Sequence, residues 1–186
     1  MATKDSERVE VWNAFLSLAR EQGVAIKKSL EPKWTDKLSP NVTLQAERLS
    51  EDETRRLSLL TWCMLSIEAR ANHLIEERVQ KGLLSEDKAR SILTNNNFEQ
   101  KWRFLANAAC QGIKPDETPH DSVRKLQQLR TGIMHVEFEK VKNGLPSAAE
   151  CLDLFNDWIK AMEDMNVRLG RHEKPDPTVL TIALDC

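Results

Sequence analysis

The stretch "LRTGIMHVEFEK", residues 129–140, contains the two side chains whose chemistry combines most readily. An arginine such as Arg130 stays charged at neutral pH and can donate paired hydrogen bonds to a phosphate or carboxylate. A histidine such as His135 can take up or release a proton near neutral pH. Together they could bind an anionic group and move a proton beside it. The alternative is a surface cation followed by an ordinary imidazole near a helix end.

The spacing of Arg130 and His135 limits how they can act together. Five residues of a regular helix turn through about 500°, which leaves the two side chains about 140° apart. They therefore do not converge on one small ligand from a straight helix. Convergence requires either a distortion of the helix end near Gly132 and Gly144, or a second copy of the chain across a two-fold axis.

Two further polar residues, Glu68 and Asn72, are four positions apart in a segment with helical apolar spacing. They therefore lie on one face of that helix. Ile67 and Ala71 flank them, so at least one side chain is expected at a half-buried position. One interpretation is a boundary pair that hydrogen-bonds a neighbouring helix, and the other is a pair that orients a catalytic residue.

The elements that carry these residues are predicted to be helices. A first helix with Trp12 and Leu16 on its apolar side is predicted to end at Gly23, followed by a mostly irregular segment to residue 49. "SEDE" at 50–53 is a capping box that opens a long helix reaching Lys81, and Gly82 ends it. Its apolar stripe is predicted to comprise Leu57, Leu60, Met64, Ile67, Ala71, Leu74 and Ile75.

Shorter helices are predicted in the second half of the chain. They cover residues 85–93 and 98–109, the latter with Trp102 and Leu105 inside, and a third begins with Thr118 as N-cap and Pro119 in the first helical position. "SAAE" at 147–150 is a second capping box. The helix that it opens is predicted to bury Leu152, Phe155, Ile159, Met162 and Val167.

With almost no strand signal, the sequence predicts an all-α antiparallel bundle of four to five main helices. Residues 1–49 are predicted to form an N-terminal helix and irregular extension, 50–170 the bundle, and 171–186 a tail with one extended segment at 179–184. The tryptophans and phenylalanines have core spacing, which favours packing over base stacking.

Composition, charge and cysteine spacing reduce the number of function classes that this sequence fits. A net charge of −2 and a pI near 6.1 disfavour a protein whose main task is to grip long nucleic acid, so any contact with RNA must come from a local patch or a partner. No apolar run is long enough to span a bilayer and "MATKDSERVE" lacks a secretory apolar stretch, so we expect a cytoplasmic protein. The four cysteines are scattered, which predicts no structural metal and buried, reduced thiols at Cys63 and Cys151.

Three runs in this order, "SIEARANHLIE", "KWRFL" and "SVRKLQQLRTGIMHVEFEK", resemble the HEPN superfamily (higher eukaryotes and prokaryotes nucleotide-binding domain) over roughly residues 50–168. The hallmark of that family is R-x(4–6)-H near the end of its third main helix, and Arg130 and His135 match it after an "LxxLR" run. Glu68 and Asn72 resemble a polar pair of the earlier helix. The residue after the arginine is commonly Asn or Asp in the family, and Thr131 stands there.

The resemblance implies a metal-independent endoribonuclease without a cofactor, active as a homodimer whose paired motifs line a composite cleft. Arg130 and His135 would be catalytic, with Glu68, Asn72 and Thr131 in support. It further implies an RNA substrate, a toxin or defence setting, and a cognate antitoxin or other protein partner. Two alternatives stay open: a catalytically inactive HEPN-like dimerisation or adaptor module, which the near-neutral charge favours, and a protein that binds a nucleotide without cleaving it.

Overall fold

A computed structural model describes residues 4–30, 50–95, 97–109, 112–134 and 144–171. These residues form six helices and no strand, so the all-α prediction is confirmed within the described ranges. The helices are α1 (Lys4–Leu30), α2 (Glu51–Gln80), α3 (Glu86–Leu93), α4 (Phe98–Ala109), α5 (Asp121–Met134) and α6 (Ala148–Arg168). None of them is both long and apolar enough to cross a membrane.

The long helix α2 is the centre of the fold, because every other helix packs against it. Ser50 and Glu53 form the predicted capping box at its start, with Glu53 N–H donating to Ser50 Oγ over 3.2 Å. Gly82, at φ +67°, follows its C-cap in the left-handed region that favours glycine. The predicted apolar stripe is buried from Leu60 to Ile75, while Leu57 is half-buried.

The first helix differs from its prediction, since α1 continues through Gly23 to Leu30. A glycine inside a helix costs about 1 kcal/mol relative to alanine. Here Gly23 is buried and Ile26, one turn later, is fully enclosed, so packing against α2 outweighs that cost. Trp12, Leu16 and Ile26 belong to the same core as the bundle, which places α1 against α2 and α6.

The start of α5 also differs from its prediction. The helix begins at Asp121, after a turn that contains a cis Thr118–Pro119 peptide, so Thr118 is not its N-cap. His120 lies in this turn and is 4% exposed, which draws the chain inward before the helix starts. Ser122 Oγ donates to the Pro119 carbonyl over 2.7 Å and closes the turn.

The last helix opens with the predicted capping box of Ser147 and Glu150. Leu152, Phe155, Ile159 and Met162 are buried as predicted. The prediction that Val167 is buried is wrong, because its side chain is 72% exposed. Asn166 takes the inward position instead and accepts a 2.5 Å hydrogen bond from the buried Arg70. A charged guanidinium needs an acceptor when buried, so this position favours an amide over an apolar side chain.

Cys63 and Cys151 are free thiols buried in this core, as predicted. Burial raises the pKa of Cys63 far above its ordinary value and that of Cys151 to about 12. A thiol with a raised pKa carries little thiolate at neutral pH, so neither cysteine is prepared for nucleophilic chemistry. The remaining two cysteines, like the predicted extended segment at 179–184, lie outside the described residues.

Candidate functional site

The side chains predicted to do chemistry meet where α2, α4 and α5 come together. Arg130 on α5 donates from Nη1 to Glu68 Oε2 on α2 over 3.1 Å. Lys101 on α4 donates from Nζ to Asn72 Oδ1 over 2.9 Å, and the same Nζ lies 3.6 Å from Glu68 Oε1. We call these four residues, Glu68, Asn72, Lys101 and Arg130, the Arg130 cluster.

The local sequence explains why Glu68 and Asn72 point toward this cluster. They occupy one face of α2, each one residue after a fully buried apolar residue, Ile67 and Ala71 respectively. This position at the edge of the buried stripe leaves the carboxylate 25% exposed and directs it at α4 and α5. The boundary position inferred from the sequence is therefore where the pair lies.

Arg130 is held from two sides while it remains accessible to solvent. Its side chain is 28% exposed, and its Cζ lies 5.6 Å from the ring centroid of the buried Phe98. A guanidinium over an aromatic face gains about 0.5–1 kcal/mol at an exposed site and keeps a fixed orientation. One turn earlier on α5, Gln127 Oε1 accepts a 3.2 Å hydrogen bond from Phe98 N–H, which ties α5 to the first turn of α4.

Lys101 is the member of the cluster that sequence reasoning missed. Its side chain is only 2% exposed, and lysines are almost never fully buried unless they are paired. A signal for it exists in the sequence. Phe98, Lys101 and Leu105 follow the i, i+3, i+7 spacing of the buried face of α4, so a lysine stands where the pattern predicts an apolar residue.

The two remaining residues predicted for the site are Thr131 and His135. Thr131 is exposed, and its Oγ1 donates to the backbone carbonyl of Gln127 over 3.1 Å, so its hydroxyl bonds to its own helix. His135 lies outside the described residues, so its role stays a prediction. The structure thus brings Glu68, Asn72 and Arg130 together and adds Lys101.

A second polar group also includes a residue of α4, and its Trp102 and His120 are buried whereas its Asp164 and Arg168 are partly exposed. Trp102 Nε1–H donates to His120 Nδ1 over 3.2 Å, and His120 Nε2 lies 3.0 Å from Asp164 Oδ2. Because an indole N–H can only donate, Nδ1 must be the acceptor, and Nε2 carries the proton and donates to Asp164. Arg168 Nε also donates to Asp164, over 3.0 Å. We call Trp102, His120, Asp164 and Arg168 the His120 network.

Within the described residues, no group of three or more histidine, cysteine, aspartate and glutamate side chains is arranged to hold a metal ion. Arg130, the more exposed of the two cations in the cluster, has the bidentate hydrogen-bonding capacity that suits an anion, and Glu68 beside it is 25% exposed. Comparison of the chain with protein-family models, with curated proteins and with solved structures found no match.

Proposed function

We propose that this protein is a metal-independent endoribonuclease of HEPN type, acting at a composite site in a homodimer within a toxin or defence system. The observation that carries the proposal is the 3.1 Å contact between Arg130 and Glu68. It holds the guanidinium of the R-x(4)-H run in a fixed direction while leaving it 28% exposed. A pre-positioned cation that solvent can reach suits the binding of a phosphodiester.

The proposed reaction uses a nucleophile that RNA itself carries. The 2′-oxygen attacks the adjacent phosphorus while its proton passes to a base, and the bond to the 5′-oxygen breaks as that oxygen receives a proton. His135 supplies the proton transfers, with a second copy of the chain completing the cleft. Arg130 neutralises the charge that develops on the phosphorane oxygens. The products are a 2′,3′-cyclic phosphate and a 5′-hydroxyl, and no divalent metal is needed.

The test is cleavage of a labelled RNA in EDTA by the wild type, His135→Ala and Arg130→Ala. Removing a general acid–base group typically costs about 10²–10⁴-fold in rate, so the His135 variant should fall to background. Arg124→Ala is the matched control, because Arg124 lies on the same helix and also pairs with one carboxylate, that of Asp121. Equal cleavage by wild type and His135→Ala would attribute the activity to a contaminant and overturn the proposal.

Three observations favour the second candidate, a HEPN-like adaptor that does not cleave RNA. Arg130 is already engaged by Glu68, and the Thr131 hydroxyl is bonded to its own helix. A groove of about 510 Å³ between α5 and α6, with Leu129, Pro146 and Leu154 in its wall, offers a surface for a protein partner. The adaptor predicts a dimer by solution mass and no cleavage in EDTA, whereas a strict monomer contradicts both candidates.

A further inference from the structure

The side-chain amide of Asn72 has an orientation that Lys101 determines. Its Oδ1 accepts from the Lys101 ammonium over 2.9 Å. An ammonium can only donate, so the amide oxygen must face Lys101 and the amide nitrogen Nδ2 must face away from it. Lys101 is itself 2% exposed, and its Nζ also lies 3.6 Å from Glu68 Oε1, so the lysine is held in place by the fold.

The nitrogen Nδ2 of Asn72 is a donor that a ligand can reach. Within the described residues no hydrogen bond uses it. It is also not one of the enclosed polar atoms that lack a partner, and the residue as a whole is half-buried. Nδ2 therefore borders solvent at the edge of the core, with its direction already fixed by the bond on the other side of the amide.

A second amide that is oriented by a buried cation shows what a purely structural role looks like. Asn166 Oδ1 accepts from Arg70 over 2.5 Å, and the two residues are 5% and 0% exposed. That amide lies inside the core, where its hydrogen bonding serves the fold. Asn72 repeats the arrangement at a half-buried position, which leaves its nitrogen accessible.

The carboxylate of Glu68 supplies an acceptor next to this donor. Glu68 and Asn72 are four positions apart on one face of α2, which places their Cβ atoms about 5–6 Å apart. The Glu68 side chain is 25% exposed, and a carboxylate offers about four acceptor sites, so it can accept from a ligand as well as from Arg130. A ribose hydroxyl both accepts and donates, whereas a phosphate oxygen has no proton to offer the carboxylate.

We infer that Asn72 and Glu68 form a subsite for a ribose 2′-hydroxyl of RNA, with Lys101 as the positioning residue that presents Nδ2 to it. The hydroxyl oxygen accepts from Nδ2, and the hydroxyl proton is donated to Glu68. The inference rests on the proposed function for its ligand, and it deepens that function by naming the contact that separates RNA from DNA. Because the attacking hydroxyl passes its proton to His135, the subsite takes the hydroxyl of a neighbouring nucleotide.

The test compares the affinities for one single-stranded sequence without uracil, made as RNA and as DNA, because both carry the same phosphates and differ at the 2′-position. Fluorescence anisotropy measures both affinities for the full chain in a His135→Ala background, and a gel checks that the RNA stays intact. One net hydrogen bond corresponds to between about twofold and about tenfold in affinity. With two such bonds at stake, we expect RNA to bind about tenfold more tightly than DNA.

Two variants separate positioning from general effects. Lys101→Met frees the amide to rotate and should reduce the preference for RNA to about threefold. Lys101→Met combined with Asn72→Leu replaces both partners of the hydrogen bond by apolar groups, which preserves a fold better than removing one partner. In that double variant RNA and DNA should bind within about twofold of each other. A purely structural or electrostatic lysine would change both affinities by the same factor and leave the preference unchanged.

Lys125→Met is the matched control, because Lys125 is an exposed lysine of α5 that pairs with Asp121 outside the cluster. It removes the same charge and should keep the preference for RNA at the wild-type value. A spectroscopic measurement serves if the other variants do not fold. In an isotope-labelled chain the side-chain amide signals of Asn72 should shift more with RNA than with DNA, while those of Asn166 should stay in place with both.

Equal affinities for RNA and DNA overturn the inference, and so does the absence of binding to either. An unchanged preference in folded Lys101→Met or in the folded double variant has the same meaning, as do equal shifts of the Asn72 signals with both nucleic acids. Cleavage of RNA by the wild type together with equal affinities rejects the subsite and retains the nuclease. A preference that the variants lose, without cleavage by the wild type, rejects the nuclease and retains the subsite.

Discussion

Two neighbouring buried residues of α4, Lys101 and Trp102, belong to two different polar groups. In the His120 network each donor faces an acceptor: the indole N–H meets Nδ1, and Nε2–H meets Asp164, which also accepts from Arg168. His120 is 4% exposed. The group joins α4, the turn before α5 and α6, and its hydrogen bonds are used within the fold.

The Arg130 cluster is arranged differently, because its one carboxylate lies between a buried lysine and an arginine that is 28% exposed. A polar group whose donors and acceptors match stabilises one conformation, whereas a lysine is almost never fully buried unless it is paired. Burial of ionisable residues therefore does not by itself mark a functional site in this protein. The two groups differ in what is buried: an indole and an imidazole in the His120 network, and a lysine ammonium in the Arg130 cluster.

The largest loss of stability is expected when Trp102 of the His120 network is replaced. Trp102→Ala removes a fully buried indole that packs edge-on against Trp158 with ring centroids 5.1 Å apart. We expect it to lower the free energy of unfolding by about 3–5 kcal/mol in urea denaturation. Lys101→Met should lower it by about 1 kcal/mol or less, because Glu68 keeps Arg130 as a partner. Similar losses in the two variants would show that both residues serve the scaffold.

A smaller loss is expected from His120→Ala. The substitution leaves the buried Trp102 N–H without its acceptor and removes a donor from Asp164. An unsatisfied buried donor costs about 1–3 kcal/mol, to be measured by urea denaturation. The affinity for an RNA oligonucleotide whose 2′-hydroxyls are methylated, so that it cannot be cleaved, should stay unchanged under conditions where the variant is folded. Weakened binding in the folded variant would contradict the separation of the two groups.

Arg130→Ala should have the opposite effects: little loss of stability but a loss of RNA binding. The ion pair with Glu68 is partly exposed, and such pairs contribute about 1 kcal/mol or less to stability. Glu68 also retains Lys101 at 3.6 Å, so no carboxylate is left without a cation. We expect a thermal midpoint close to that of wild type together with loss of RNA binding. A large destabilisation would indicate that Arg130 serves the fold.

The smallest effect concerns the pH dependence of stability through Asp164. Burial raises the pKa of this carboxyl, but hydrogen bonds from His120 and Arg168 outweigh burial and hold it below its ordinary range. A carboxylate with a lowered pKa stabilises the fold above its unfolded value of about 3.9, and this stabilisation is lost as the pH falls through the folded value. Wild type should therefore exceed Asp164→Asn in unfolding free energy near neutral pH, and the difference should shrink below about pH 4. A constant difference from neutral pH to about pH 2 would contradict this role of the carboxylate.

Features that depend on a few adjacent residues were predictable from the sequence. The capping boxes at Ser50 and Ser147 are found at the predicted residues, and Gly82 follows the end of α2. Each is a local arrangement in which a side chain or a glycine satisfies the geometry of a helix end. The face shared by Glu68 and Asn72 follows equally from helical periodicity.

The errors arose where distant contacts outweighed a local preference. Gly23 lies inside α1 because burial of Ile26 offsets the cost of glycine. The turn through Pro119 precedes α5 because His120 is drawn into the core, and Val167 is exposed because Asn166 pairs with Arg70. The deciding contacts join distant parts of the chain: α1 with α2, His120 with Asp164 44 positions later, and Asn166 with Arg70 96 positions earlier.

The sequence by itself determined the all-α class, the ends of several helices and the placement of Glu68 and Asn72 on one face, since these depend on chemistry within a few residues. Only the tertiary structure decided that Glu68 pairs with Arg130, 62 positions away, and that Lys101 is buried beside them. A periodic pattern assigns a residue to a face but does not identify the helix that the face meets. The meeting of Glu68, Lys101 and Arg130 therefore became evident only when the three helices were placed together.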